Sequence, residues 1–252
     1  MSSGRAALAV VLLVSAVQAS ALDVLRVYGP GGPAPAMKEA AEAFGKASGA
    51  RVEVTAGPTD TWIVGAREDA DVIFSGSEYM MTDFVKAMEG RIDEQSIQPL
   101  YMRPSAILVR PGNPKRIKDL PDLAHPGLKV LVVQGSGQTG MWEDMAGKQG
   151  DLRLVRALRR NIVLHAANSG LAKQAWIDRP DLDAWIIYNI WQVANPKLAD
   201  LVSVSRDYVV YRDTGVALTT LGKQRPLGAR FVEFLQSKEG AAIFKKWGWI
   251  TP

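Results

Sequence analysis

Lys129-Val130-Leu131-Val132-Val133-Gln134-Gly135-Ser136-Gly137-Gln138-Thr139-Gly140-Met141-Trp142-Glu143-Asp144-Met145-Ala146-Gly147-Lys148 is an apolar, β-branched run that breaks at glycines and resumes with helix-compatible residues. A buried strand that stops in this way leaves unpaired backbone N–H groups at the start of the next helix, converging on one concave spot. Such a spot suits an anion, and Ser136, Thr139 and Gly140 are the candidates it offers for holding one.

Gly135, Gly137 and Gly140 also match the G-x-G-x-x-G spacing of dinucleotide sites. That chemistry needs an acid about 20 residues on, at the end of the next strand, to hold a ribose. The next strand-like run, Asn161-Ile162-Val163-Leu164-His165, ends in Ala166-Ala167-Asn168-Ser169-Gly170 and has no acid. Asn168 and Ser169 stand there instead, which favours a small-anion cradle and leaves a nucleotide-dependent enzyme as the weaker alternative.

The same strand-then-glycine pattern recurs upstream. Residues 22–28 are apolar and run into Gly29-Pro30-Gly31-Gly32-Pro33, and helical spacing follows over residues 36–46, closed by Ser48-Gly49. An alternating strand at residues 51–55 gives way to Gly57-Pro58-Thr59-Asp60-Thr61-Trp62, where Thr61 is positioned to cap the next segment. Asp71-Val72-Ile73-Phe74 breaks at Ser75-Gly76-Ser77, with Asp71 read as a structural acid, and helical spacing resumes over residues 80–88. In a parallel sheet these strand ends lie along one edge, where ligands bind. Gly31, Gly32, Thr61, Ser75 and Ser77 therefore join the candidate list, with Arg103 as the nearby cation.

After an alternating strand at residues 105–110, Pro111-Gly112-Asn113-Pro114 punctuates a crossing into a second domain. That domain contains the opening stretch, a helix over residues 171–177 and a strand over residues 182–189 ending in Tyr188, the last candidate. Residues 202–210 and 211–218 are strand-like and lead back; residues 228–246 form an amphipathic helical region, and Trp247-Gly248-Trp249 reads as packing. The chain is thus predicted to be α/β with two lobes, residues 22–108 plus 208–252 and residues 109–207. The predicted hinge has crossings near residues 109–114 and 205–212.

Residues 1–21 read as a signal peptide: Arg5 is the sole charge, residues 6–17 are apolar but too short for a bilayer, and Ala19-Ser20-Ala21 is a small-x-small cleavage site. Without cysteine, disulfides, thiolate metal sites and a lipid-acylated cysteine are excluded. Removing Arg5 leaves 29 − 26 = +3, far from a nucleic-acid footprint. The only histidines, His125 and His165, lie in no nucleophile–base pattern, and no G-x-S-x-G, H-E-x-x-H or P-loop motif occurs. No catalytic residue, metal site or cofactor is expected.

With Tyr28 to Pro33, Ala70 to Phe74, Thr139 to Met145, Asn168-Ser169-Gly170, Asp183-Ala184-Trp185 and the closing Lys246-Trp247-Gly248-Trp249 in view, the chain resembles the accessory colonization factor AcfC family. It also resembles the related Peb-type antigenic binding proteins, which are molybdate/sulfate-like type II periplasmic binding proteins. The resemblance spans nearly all of residues 22–252. It implies a periplasmic solute-binding protein with a two-lobed cleft that captures an oxyanion or a small carboxylate or phosphorylated acid. An ABC-type permease and a second copy of the chain are the implied partners; an adhesin acting through its surface is the alternative from the same resemblance. The segment from Gly135 to Thr139 is shorter here than in a Peb-type relative, which bears on the choice of anion.

Overall fold

The structure, a computed structural model, describes residues 24–252 apart from the side chain of Ser136; the expected leader lies outside the described residues. In β1 (Val24–Gly29) alternate residues Leu25, Val27 and Gly29 face inward. Pro33 and Pro35 preset the first turn of α1 (Ala34–Ser48), whose buried face is Ala36, Met37, Ala40, Ala41 and Phe44. Gly49, at φ 73°, takes the left-handed conformation that ends this helix and bonds back to the Gly45 carbonyl.

β2 (Arg51–Ala56), α2 (Ile63–Asp69), β3 (Val72–Phe74), α3 (Glu78–Ala87) and the long β4 (Gln98–Val109) complete the first half. The second half runs through β5 (Val130–Val133), α4 (Met141–Gly147), α5 (Leu152–Asn161), β6 (Ile162–Ala166), α6 (Ser169–Asp178), β7 (Ala184–Tyr188), α7 (Ile190–Ala194) and β8 (Asp200–Ser203). The chain then returns through β9 (Tyr211–Leu218), α8 (Thr220–Lys223), α9 (Pro226–Gln236) and α10 (Lys238–Lys246). The strand-like reading of residues 202–210 is shortened to β8 and a loop. The C-terminal amphipathic region is two helices, because Ser237 leaves the helical conformation and caps α10 through Gly240 N.

The strands order as β2-β1-β3-β9-β4-β7-β5-β6, with β8 also on β4. β1, β2 and β3 are mutually parallel, as are β7, β5 and β6; β4 and β9 run antiparallel to their neighbours and join the two groups. β4 pairs with β9 as far as Pro104 and with β7 and β8 from Ser105 onward. The first crossing therefore falls inside β4, ahead of the Pro111–Pro114 punctuation, which only marks where that strand ends. On its return the chain passes from β8 through residues 204–210 into β9.

Asp71 is fully buried ahead of β3. Its carboxylate takes two bonds from Arg225 Nη1, at 2.8 and 2.7 Å, and one from Arg26 N at 2.8 Å. Arg225 Nη2 reaches the Val24 carbonyl at 2.9 Å. This fastens the α8–α9 junction to the β1–β3 edge and assigns Asp71 a structural role.

Candidate functional site

Loops that follow β1, β2, β3, β5, β6 and β7 converge on one cleft of about 170 Å³. Pro30 to Pro33, Gly57, Pro58, Gly76 and Met80 form one wall; Gly137, Gln138, Asn168, Ser169, Gly170 and Trp191 form the other. Arg103 stands between them and is the sole charged side chain of the lining. A larger open groove of about 1040 Å³ lies outside, between α1 and α10. Its charges are mixed, with Lys246 already paired to Glu39 at 2.8 Å, and no strand end points into it.

Arg103 owes its place to strand alternation: Tyr101, Arg103 and Ser105 take the inward phase of β4 while Met102 is exposed. Only 2% of the residue is accessible. Its guanidinium carbon sits 4.0 Å from the Tyr188 ring centroid and 5.0 Å from that of Trp249, so the fork is held flat between aromatic faces. Nη2 donates to the Gly76 carbonyl at 2.5 Å, whereas Nε is buried without a partner. No carboxylate lies within ion-pair distance of it among the described residues. Burial pushes its pKa down to about 10, opposed by Tyr188 and Asp213, which leaves the group charged at neutral pH.

A second donor faces the same spot. Trp191 Nε1 is buried and unpartnered. A Cβ built on Gly32 would stand 3.1 Å from Arg103 Nη1 and 3.7 Å from Trp191 Nε1, so both donors border the same side of Gly32. The absence of a side chain at Gly32 leaves that space open beside the start of α1, whose N-cap, Pro33, offers no side-chain acceptor. Across the cleft Gln138 Nε2 donates to Ser169 Oγ at 3.0 Å, and Asn168 caps α6 through Leu171 N at 2.9 Å.

Of the residues named from sequence, Gly31, Gly32, Arg103, Asn168 and Ser169 lie in this wall. Thr139, Gly140 and Ser77 line a neighbouring recess of about 210 Å³ with Asp144 and Arg212. Ser77 also caps α3, accepting from Met80 N at 3.1 Å. Three candidates are turned to other work. Ser75 is fully buried and accepts from Gly215 N at 3.2 Å, tying β3 to β9. Thr61 donates to the Pro58 carbonyl at 2.7 Å and does not cap α2. Tyr188 donates to the Gly137 carbonyl at 2.7 Å and gives its ring to Arg103. The side chain of Ser136 lies outside the described residues.

The three glycines of the opening stretch serve three different ends. A Cβ at Gly135 would collide with the Ala167 carbonyl, one at Gly137 would stand 3.0 Å from the Gly76 carbonyl, and Gly140 sits at φ 73°. The start of α4 is thus not the cradle; the turn at Ser136–Gln138 supplies that wall, and α4 is a seven-residue helix behind it. Asp144 pairs with Arg212 at 2.6 Å across the recess, and Glu143 faces outward beside α5.

A family model for bacterial extracellular solute-binding proteins matches residues 25–250. The chain belongs to that family. Among solved structures, this solute-binding protein is similar to Peb3 from Campylobacter jejuni, at 36% identity and a TM-score of 0.84 over 90% of this chain and 100% of that one. It is equally similar to PEB3 with L-phospholactate bound, at 35% identity and 0.85 over the same shares. The sulfate-binding protein SubI from Mycobacterium tuberculosis shares the fold, with a TM-score of 0.73 at 18% identity over 90% of this chain and 86% of that one. No match was found among curated proteins. The expected membership and the type II periplasmic-binding fold are both borne out, and the chain is an extracytoplasmic solute-binding protein. Among the described residues no helix is long and apolar enough to cross a membrane.

Proposed function

We propose that the cleft captures one small anion, an oxyanion or a small carboxylate or phosphorylated acid, and that the protein presents it to an ABC-type permease without chemical change. One observation carries this: Arg103 is a buried cation with no ion-paired carboxylate among the described residues, Asp213 acting on it only from beyond ion-pair distance, and it borders an open space. A buried charge is stable only when something balances it, and a bound anion would. The cleft is smaller than ordinary drug-sized pockets of roughly 300–1,000 Å³, which disfavours a dinucleotide. Its lining offers neither a histidine nor a carboxylate for general acid–base work. The L-phospholactate held by PEB3 supports the same ligand class here.

The lobes of this reading meet at Pro104–Ser105 in β4 and in the loop between β8 and β9; Gly137 already lies against Gly76 across the cleft, and opening about those points would part the two walls to admit the anion. Calorimetric titration with sulfate, molybdate, phosphate, citrate, phosphoglycerate and acidic amino acids tests the assignment. At least one should bind and should raise stability by about 2.7 kcal/mol at 100 times its dissociation constant. A flat response to the whole panel, with neutral sugars binding instead, would remove the anion reading.

Trp191 gives a finer test, since phenylalanine keeps one aromatic ring beside Trp185 and removes the N–H together with the rest of the five-membered ring. Loss of one hydrogen bond to a charged group corresponds to about 1.5–3 kcal/mol. Trp191→Phe should therefore weaken the best anion roughly 10- to 150-fold with only a modest fall in the melting of the empty protein from the smaller ring. An unaltered dissociation constant would place the anion away from Gly32.

A further inference from the structure

On the outer side of the second lobe, α5 reads Leu152-Arg153-Leu154-Val155-Arg156-Ala157-Leu158-Arg159-Arg160-Asn161. Leu154, Leu158 and Asn161 are buried, and Arg153, Arg156, Arg159 and Arg160 are all exposed. At 100° per residue the four arginines fall within one face. Arg153 is paired only with its neighbour Asp151, at 3.2 Å. Arg156, Arg159 and Arg160 have no acid within ion-pair distance among the described residues. A groove of about 520 Å³ runs beside them, lined by Trp142, Glu143 and Val155, and Leu152 is 56% accessible at the start of the helix.

Helix stability does not explain this face. Arg159 and Arg160 complement the dipole in the last turn, but Arg153 lies in the first turn, where a cation opposes it. Like charges three or four positions apart also repel. His165, on the neighbouring strand, feels the field: partial burial and the Arg159 charge hold its imidazole below the ordinary value. Among the described residues Glu143 lines the groove beside these arginines and Asp151 pairs with Arg153. What distinguishes the face from a merely solvated charge run is its apolar border, a half-buried Trp142 and an exposed Leu152. Arginine beside tryptophan and leucine on one helical surface is the composition that gains at a lipid interface, where phosphates meet the guanidinium groups and the apolar residues enter the headgroup boundary.

We propose that this face docks the protein peripherally on an anionic lipid surface, with Arg156, Arg159 and Arg160 on headgroup phosphates and Trp142 and Leu152 at headgroup depth. The contact is separate from the anion cleft and leaves it free to load.

Vesicle flotation of the chain without its leader is the test. Phosphatidylglycerol-rich vesicles at about 0.1 M salt, where charges reach about 10 Å, should carry the protein up, and pure phosphatidylcholine vesicles should not. The triple variant Arg156→Gln, Arg159→Gln, Arg160→Gln should lose roughly 100-fold in vesicle affinity, and raised salt should do the same to the unaltered protein. Replacing the same three arginines by lysine should preserve docking and shows that the face still folds. A control that removes three exposed cations elsewhere, Lys197→Gln, Arg206→Gln, Arg230→Gln, should bind like the unaltered chain. Failure to float with phosphatidylglycerol, equal loss in the control, undiminished binding of the arginine variant, or capture by soluble dextran sulfate without vesicle binding would each overturn the proposal.

Discussion

Arg103→Met should abolish anion binding while leaving the empty protein close to its original melting temperature. The guanidinium is the only charge in the cleft lining and is 2% accessible, so a bound anion would lose its sole full counter-charge in a poorly solvated place. Removing one partner of a buried pair corresponds to about 3–5 kcal/mol, or roughly 150- to 5,000-fold in the dissociation constant. The empty protein behaves differently because there the guanidinium has no ion-paired acid to lose, Asp213 acting on it only from beyond ion-pair distance. Methionine gives up stacking on Tyr188 and Trp249, worth up to about 2 kcal/mol, but also relieves the burial of an unpaired cation, so the two changes offset. Arg103→Lys keeps the charge and loses the planar fork, so its affinity should fall between. Full affinity in Arg103→Met, measured by calorimetric titration, would place the anion outside this cleft.

The same residue fixes a pH limit. Burial brings Arg103 down to about 10, below the ordinary arginine range, and only the charged form attracts an anion. Affinity should therefore be flat through neutral pH and fall as the pH rises past about 10. The empty fold responds in the opposite sense: a base whose folded value is depressed carries its burial penalty below that value, and the penalty is relieved as the pH rises from about 10 toward the ordinary arginine range.

How much of this could be read from the chain depends on whether the signal was local. Strand runs ending in glycine are local, and they located the cleft edge, including Gly31, Gly32, Asn168 and Ser169. The inward phase of Arg103 was legible too, in the alternation Tyr101-Met102-Arg103-Pro104-Ser105, and was read only as a nearby cation. Hydroxyls misled because serine and threonine satisfy backbone groups close at hand: Ser75 serves Gly215 and Thr61 serves Pro58. Trp191 and Gln138 were missed because each reaches the cleft from a turn shorter than any periodic signal, α7 in one case and the turn at Ser136–Gln138 in the other. The exchange of partners inside β4 leaves no mark on its own residues, since the backbone stays extended while its neighbours change. Tyr188 shows a further limit: its position at the end of β7 was clear, but that its ring lies under Arg103 depends on β4 being adjacent.

The largest effect on stability should come from Asp71, which the sequence marked as structural and whose carboxylate the fold ties by three hydrogen bonds to two groups. Its carboxylate is fully buried, takes two bonds from Arg225 Nη1 and one from Arg26 N, and has no water-facing atom to fall back on. Asp71→Ala takes from Arg225, whose side chain is only 25% exposed, the buried carboxylate that holds Nη1, and leaves Arg26 N without its acceptor. Breaking a buried pair by removing one partner corresponds to about 3–5 kcal/mol. In a chain of this size that is a fall in melting temperature of roughly 6–20 °C. Removing both partners, Asp71→Ala with Arg225→Met, should restore part of the loss, because the stranded cation goes with its acid. The ligand arm separates stability from function: Asp71 lies outside the cleft lining, so below its melting point the Asp71→Ala protein should bind the best anion with an unchanged dissociation constant. If Asp71→Ala melts within a degree or two of the unaltered chain, the Asp71–Arg225 pair does not fasten α8 and α9 to the sheet. If the double variant is no better than the single one, the loss lies in the Arg26 N–H and the packing around β3, and the ion pair is not its source.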